Sequence, residues 1–168
     1  DFRQQQMASD YQFAKEEEKP AQPYAPGPTL EVASASGRDD AAYWYLERPG
    51  LRAAVHRRTG MLGGLWLADG RRVVDRLDRL YHVQTRTSDA SGDEHADAVT
   101  EVVRRSADEI VLRATSRALP GVSVEKQYRL QADLLVRTLR LTNRGSQPDL
   151  FVTVSDRAVL DEAFRRGA

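Results

Sequence analysis

The chain has 168 residues, 40% of them hydrophobic and 30% charged, with 25 basic residues balanced by 25 acidic ones. A net charge of zero leaves no basic excess for a nucleic-acid or acidic-membrane partner, and the arginines interleave with acids, as in Asp75-Arg76-Leu77-Asp78-Arg79. The lack of cysteine excludes a disulfide scaffold, a thiolate zinc site and a cysteine nucleophile, without fixing the compartment.

The length fits one domain, or one domain plus an appendage. No apolar run approaches the ~20 residues of a membrane-spanning helix, so no membrane insertion is expected. The chain opens at Asp1 without a methionine, which reads as a processed product or an excised segment. Met7, Tyr11 and Ala14 fall at i, i+4 and i+7, the spacing of one helical face, among Gln, Lys and Glu. Glu16-Glu17-Glu18 closes this segment where the helix dipole disfavours acids, so such a helix depends on docking. Pro20, Pro23, Pro26 and Pro28 follow, and a stretch so rich in proline reads as an extended linker. Residues 1–28 are therefore expected to form either a docked helix plus linker or a disordered leader, and residues 29–168 a β-sandwich domain, complete or truncated at its C-terminus.

From Thr29 onward the period changes to two. Leu51–His56 alternates, Thr59-Gly60 signals a turn, and Asp69-Gly70 signals a type I′ hairpin, whose two central residues need positive φ. Ile110-Val111-Leu112 reads as a further strand. In Val122–Leu130, Val122, Val124, Tyr128 and Leu130 alternate with polar residues, which places one face inward. Lys126 alone breaks that inner face, and its long stem can lie along apolar surface. Leu139–Asn143 and Leu150–Ser155 complete the strands. Beyond them, Val159/Ala163 and Leu160/Phe164 pair at helical spacing. Many short strands separated by turn signals predict a mainly β protein, an antiparallel β-sandwich.

The stretch Leu51–Gly70, with its Thr59-Gly60 turn, resembles the opening hairpin of galactose-mutarotase-like "supersandwich" domains. Val122–Leu130 followed by Leu139-Arg140-Leu141-Thr142-Asn143 is similar to a strand pair of the same superfamily. The resemblance spans roughly residues 30–155 and implies a supersandwich fold. Such domains accompany the catalytic domains of glycoside hydrolases and polysaccharide lyases, form aldose epimerases, and occur in an extracytoplasmic domain of a membrane-protein insertase. The resemblance thus implies a non-catalytic accessory domain whose partners are carbohydrate and a parent enzyme's catalytic domain. A structural or protein-interaction sandwich in an extracytoplasmic or membrane-associated protein is the competing expectation.

Epimerisation needs a general acid and a general base around the anomeric carbon, roles the family gives to histidines and a late glutamate. His56, His82 and His95 do not fall in that histidine motif, and Asp161 and Glu162 lack its context, so no catalytic residue is assigned. Tyr43, Tyr45, Trp66 and Tyr81 are the candidates for carbohydrate binding, since an exposed ring face can stack on a pyranose. Trp44 points away from Tyr43 and Tyr45, and core packing competes with ligand stacking for both tryptophans. The acidic stretch Asp89–Asp97 carries acids at i, i+4 and i+8, a spacing unlike the EF-hand's. It is expected to be a solvated loop rather than a calcium site, and no metal or other cofactor is assigned. The glycines of Gly60-Met61-Leu62-Gly63-Gly64 lack the lysine of a phosphate loop and are expected to serve a bulge or close packing.

The alternation of Val122–Leu130 has a direct test. A carboxylate at Val124 would be buried without a partner, at a cost of several kcal/mol against a total stability of ~5–15 kcal/mol. Val124→Asp is expected to unfold the domain and Glu125→Lys to leave its thermal midpoint nearly unchanged.

Overall fold

The computed structural model describes residues 33, 37–74, 81–85, 91–116, 121–145 and 150–154. The expected N-terminal helix, the proline-rich linker and the helix after Ser155 lie outside the described residues. Within them the chain forms β1 (Tyr43–Arg48), β2 (Leu51–His56), β3 (Leu62–Leu67), β4 (Arg72–Val74), β5 (Tyr81–Thr85), β6 (Ser91–Asp93), a 3₁₀ turn (Glu94–Ala96), β7 (Asp97–Arg105), β8 (Glu109–Ser116), β9 (Val122–Gln131), β10 (Leu134–Asn143) and β11 (Leu150–Val154). Every strand pair is antiparallel. Two sheets have four strands, in the orders β1-β2-β3-β4 and β10-β9-β8-β7, and a third has the order β11-β5-β6. The mainly β, antiparallel class expected from the two-residue period is the one observed.

The β10-β9-β8-β7 sheet organises the packing, because its inner face is covered by both other sheets. Toward one end, Ile110, Leu112, Tyr128 and Leu130 pack against Trp44, Leu46, Leu51, Ala53, Val55, Leu62 and Val74. Toward the other, Ala114, Val122 and Val124 pack against Tyr81 of β5. Strand β9 runs through both clusters with alternate residues buried, as its sequence predicts. Each fully buried aliphatic or aromatic side chain contributes ~1.5–3 kcal/mol, so these clusters supply the main cohesion between the sheets.

The β1-β2-β3-β4 sheet is buried on both faces. Alternation sends Trp44 and Leu46 toward β8 and β9, while Tyr43 and Tyr45 join Ala33, Ala54 and Trp66 on the opposite face. Gly63 and Gly64 make that outer cluster sterically feasible. A Cβ on Gly63 would collide with the Tyr43 ring, and one on Gly64 with the Trp66 ring. The register of β2 on β3 also shifts between Ala54 and Val55, which are opposite Gly64 and Leu62, so Gly63 is the extra residue of a bulge. The expected role of these glycines, bulge and close packing, is thus realised.

Two turns differ from simple expectation. At Asp69-Gly70 only Gly70 has positive φ, at 80°, so the loop is no type I′ turn. Gly70 N donates to Leu67 O (3.0 Å) and Leu67 N to Arg71 O (2.9 Å), a three-residue loop closed by one left-handed glycine. The β9–β10 hairpin instead turns on Ala132-Asp133, with Ala132 at φ 50°. This turn carries no glycine or asparagine, which left it without a sequence signal and the start of β10 at Leu134 unread. Strand β7 was likewise unread, because from Thr100 onward its side chains are exposed and charged or polar residues interrupt the alternation.

Gly63→Ala is expected to lower stability by ~1–3 kcal/mol, since the ring it meets is held in a packed cluster. Ala132→Gly is expected to raise stability by up to ~1 kcal/mol. Relief of a left-handed conformation costing roughly 1–2 kcal/mol outweighs the added chain entropy of about 0.4–1 kcal/mol. Thermal melts of the two variants check both signs.

Candidate functional site

The rings proposed for sugar stacking are inside the protein. Tyr43, Tyr45, Trp66 and Tyr81 are 2%, 5%, 3% and 0% exposed, so none presents a face to solvent. Both tryptophans are core residues, and each carries a guanidinium over its ring: Arg57 over Trp44 at 5.0 Å and Arg72 over Trp66 at 5.1 Å. Tyr43, Tyr45 and Trp66 share one cluster, whereas Tyr81 belongs to another.

Tyr81 leads instead to the arrangement that sequence reasoning missed. Lys126 lies on the inner face of β9, between Val124 in one core cluster and Tyr128 in the other, and is 1% exposed. Its ammonium donates to Thr59 O at 2.7 Å and lies 2.9 Å from both Glu94 Oε1 and Asp97 Oδ2. The Thr59 contact is a hydrogen bond, and the two carboxylates complete the site as ion pairs. Glu94 and Asp97 are 0% and 2% exposed, and the Tyr81 hydroxyl donates to the Asp97 carboxylate. The Tyr81 ring also lies 5.7 Å from the ammonium.

Local structure explains how these groups converge. Lys126 sits at an inner position of an alternating strand, so its direction is dictated by Val124 and Tyr128. The 3₁₀ turn Glu94–Ala96 begins with the buried Glu94, and Asp97 opens β7 at the pair Asp97↔Ser116. The described part of the acidic stretch is thus not a solvated loop. Residues 91–93 form a strand, and Glu94 and Asp97 face an ammonium that is part of the protein itself. The signal available was the lysine: a buried charge requires partners, and Glu94 and Asp97 are acids that a solvated loop would leave exposed.

The same seam fixes the β2–β3 turn. Tyr128 Oη donates to Gly60 O at 2.6 Å, beside the Lys126 bond to Thr59 O. Within the turn, Thr59 N donates to His56 Nδ1 (3.3 Å), so that nitrogen is an acceptor, and the Thr59 hydroxyl lies 2.9 Å from it. The imidazole is therefore neutral with its proton on Nε2. Burial, followed by the nearby Arg58 and Lys126 charges, pushes the His56 pKa down to about 4. Asp97 moves the other way. Burial raises its carboxyl to about 6, against the opposing pull of the Lys126 ammonium and the Tyr81 hydroxyl.

Chemically, the cluster holds a nitrogen nucleophile in contact with two carboxyl groups, one of which accepts from a phenol, and all four residues are at most 2% exposed. Among the described residues no group of three or more histidine, cysteine or acidic side chains is placed to hold a metal ion. The side chain of His82 lies outside the described residues, and His95 is half-buried in the 3₁₀ turn. No described helix is long and apolar enough to cross a membrane. No protein family, curated protein or solved structure matches the chain.

The His56 environment predicts a pH dependence of known sign. A neutral histidine whose folded pKa lies below its unfolded value binds fewer protons in the native state between about 4 and 6.5. Its stability contribution is complete above 6.5 and is lost as the pH falls through about 4. The melting-temperature difference between the wild type and His56→Gln is expected to shrink over that fall. Taking the difference removes the opposing contribution of Asp97.

Proposed function

We propose that this chain is a non-catalytic accessory domain of the supersandwich kind, supporting the catalytic domain of a larger carbohydrate-active enzyme, a glycoside hydrolase or lyase. The observation that supports the non-catalytic part is the sealing of the reactive cluster found among the described residues. Lys126, Glu94, Asp97, Tyr81 and His56 are all at most 7% exposed and bind one another or the β2–β3 turn. General acid–base catalysis requires a group within hydrogen-bond reach of the substrate, and these groups already have partners inside the protein. The carbohydrate setting rests on the likeness of Leu51–Gly70 and Val122–Asn143 to supersandwich strands. In this reading the domain supplies a packing surface, and Tyr43, Tyr45, Trp66 and Tyr81 hold its sheets together.

A second reading, a structural or protein-interaction sandwich of an extracytoplasmic protein, draws support from the burial of those same rings. Among the described residues these rings form no exposed aromatic platform on which a sugar could stack. The parent reading frame distinguishes the two: a catalytic barrel or helical toroid favours the first, and transmembrane helices the second.

The purified chain is expected to hydrolyse chromogenic glycosides, and to interconvert sugar anomers by polarimetry, no faster than buffer. Turnover above that background that disappears in His56→Gln would overturn the non-catalytic assignment.

A further inference from the structure

We propose that Lys126 and Asp97 join in a self-catalysed isopeptide bond, with Glu94 as the proton carrier, making the seam between the sheets a covalent modification site. The nitrogen and the carboxyl are already in contact at 2.9 Å, and Glu94 Oε1 stands at the same distance from the nitrogen. Reacting groups held in this way behave as though present at effective concentrations of about 10⁵–10⁸ M, which can drive an amide condensation that dilute amines and acids do not undergo. Exposures of 0–2% exclude the water that would reverse it.

Each neighbour has a defined task. The Thr59 carbonyl, accepting from Nζ at 2.7 Å, fixes the nitrogen in place. The Tyr81 hydroxyl, donating to the Asp97 carboxyl, polarises it and stabilises the oxyanion that forms during attack. Burial raises the Asp97 carboxyl to about 6, which populates the acid form whose carbon accepts a nucleophile.

The step balances without any co-reactant. Glu94 takes one proton from the ammonium, and the neutral amine attacks Cγ of the Asp97 carboxylic acid to form the N–C bond. As the tetrahedral carbon collapses, its C–O bond breaks. Glu94 relays a second proton from the nitrogen to the departing hydroxyl, which leaves as water. The product is a secondary amide, and Glu94 ends as a neutral acid. The buried ammonium and carboxylate are thereby replaced by groups without charge, removing the desolvation cost of the ion pair. The new bond ties β9 to β7 across the inner face of the intervening β8.

Intact-mass spectrometry of the full denatured chain tests this. The expected mass is one water molecule below that of the sequence, and a proteolytic digest should yield a branched peptide linking the Lys126 and Asp97 segments. A mass equal to that of the sequence would overturn the proposal. Glu94→Gln keeps a similar shape but removes the proton carrier. It is expected to melt cooperatively while retaining its full mass. A folded Glu94→Gln chain that still loses water, or water loss persisting in Asp97→Ala, would equally overturn it.

Discussion

A single ammonium group, that of Lys126, holds together the place where the three sheets meet. Strand β9 passes under two separate apolar clusters, and the residue between them is a lysine rather than a further valine or leucine. An ionised group at this depth is costly by several kcal/mol unless it is fully partnered. The fold around it satisfies that demand by drawing one oxygen from the β2–β3 turn, one from the 3₁₀ turn and one from the start of β7. The placement of those three segments follows from a polar requirement, while the apolar clusters supply the bulk cohesion on either side. Apolar packing alone tolerates small slips of one sheet over another. An ammonium tied by one hydrogen bond and two ion pairs does not.

The outer segments reinforce the same joint with weaker contacts. Asp39, ahead of β1, accepts from Tyr45 N at 3.0 Å and from Arg105 of β7 at 2.7 Å, which links the two four-stranded sheets at their far ends. Asp40 receives the backbone N–H groups of Ala42 and Tyr43 at 2.8 and 2.7 Å and so sets the entry to β1. These groups are partly solvated, and each contributes about 1 kcal/mol or less. They orient the strands, whereas the buried cluster locks them.

Much of this was legible in the residue pattern where one face of a strand is buried and the other wet. Val122–Leu130 shows this best: four apolar residues at alternate positions fixed both its direction and the faces of its neighbours. Legibility failed at the sheet edges. Strands β7 and the first half of β10 pair through their backbones while much of their side-chain surface remains exposed, so hydrophobic period carried little information. It failed again for Tyr43, Tyr45 and Trp66. An aromatic in a strand looks the same whether its outer face meets solvent or a second layer, and only the tertiary arrangement distinguishes them. The Lys126 cluster lay between these cases. The lysine's inward position could be read, but its partners come from segments about 30 and 67 residues away in sequence, beyond any local pattern.

That separation bears on the order in which the fold is assembled. The hairpins β1–β2 and β9–β10 close over turns of two residues, whereas the bonds from Lys126 and Tyr128 to Thr59 and Gly60 span 67 and 68 residues. Closing such long loops carries a larger entropic cost, and non-local contacts of this kind slow the search for the native state. The hairpins are therefore expected to form early and the seam to close late, when most of the apolar surface is already covered. Interactions that mature after the transition state leave the folding rate almost untouched and act on the rate of escape from the native state. On that order the polar seam is expected to act as a kinetic latch that governs the lifetime of the folded molecule, while the short hairpins on either side govern the speed with which it is reached.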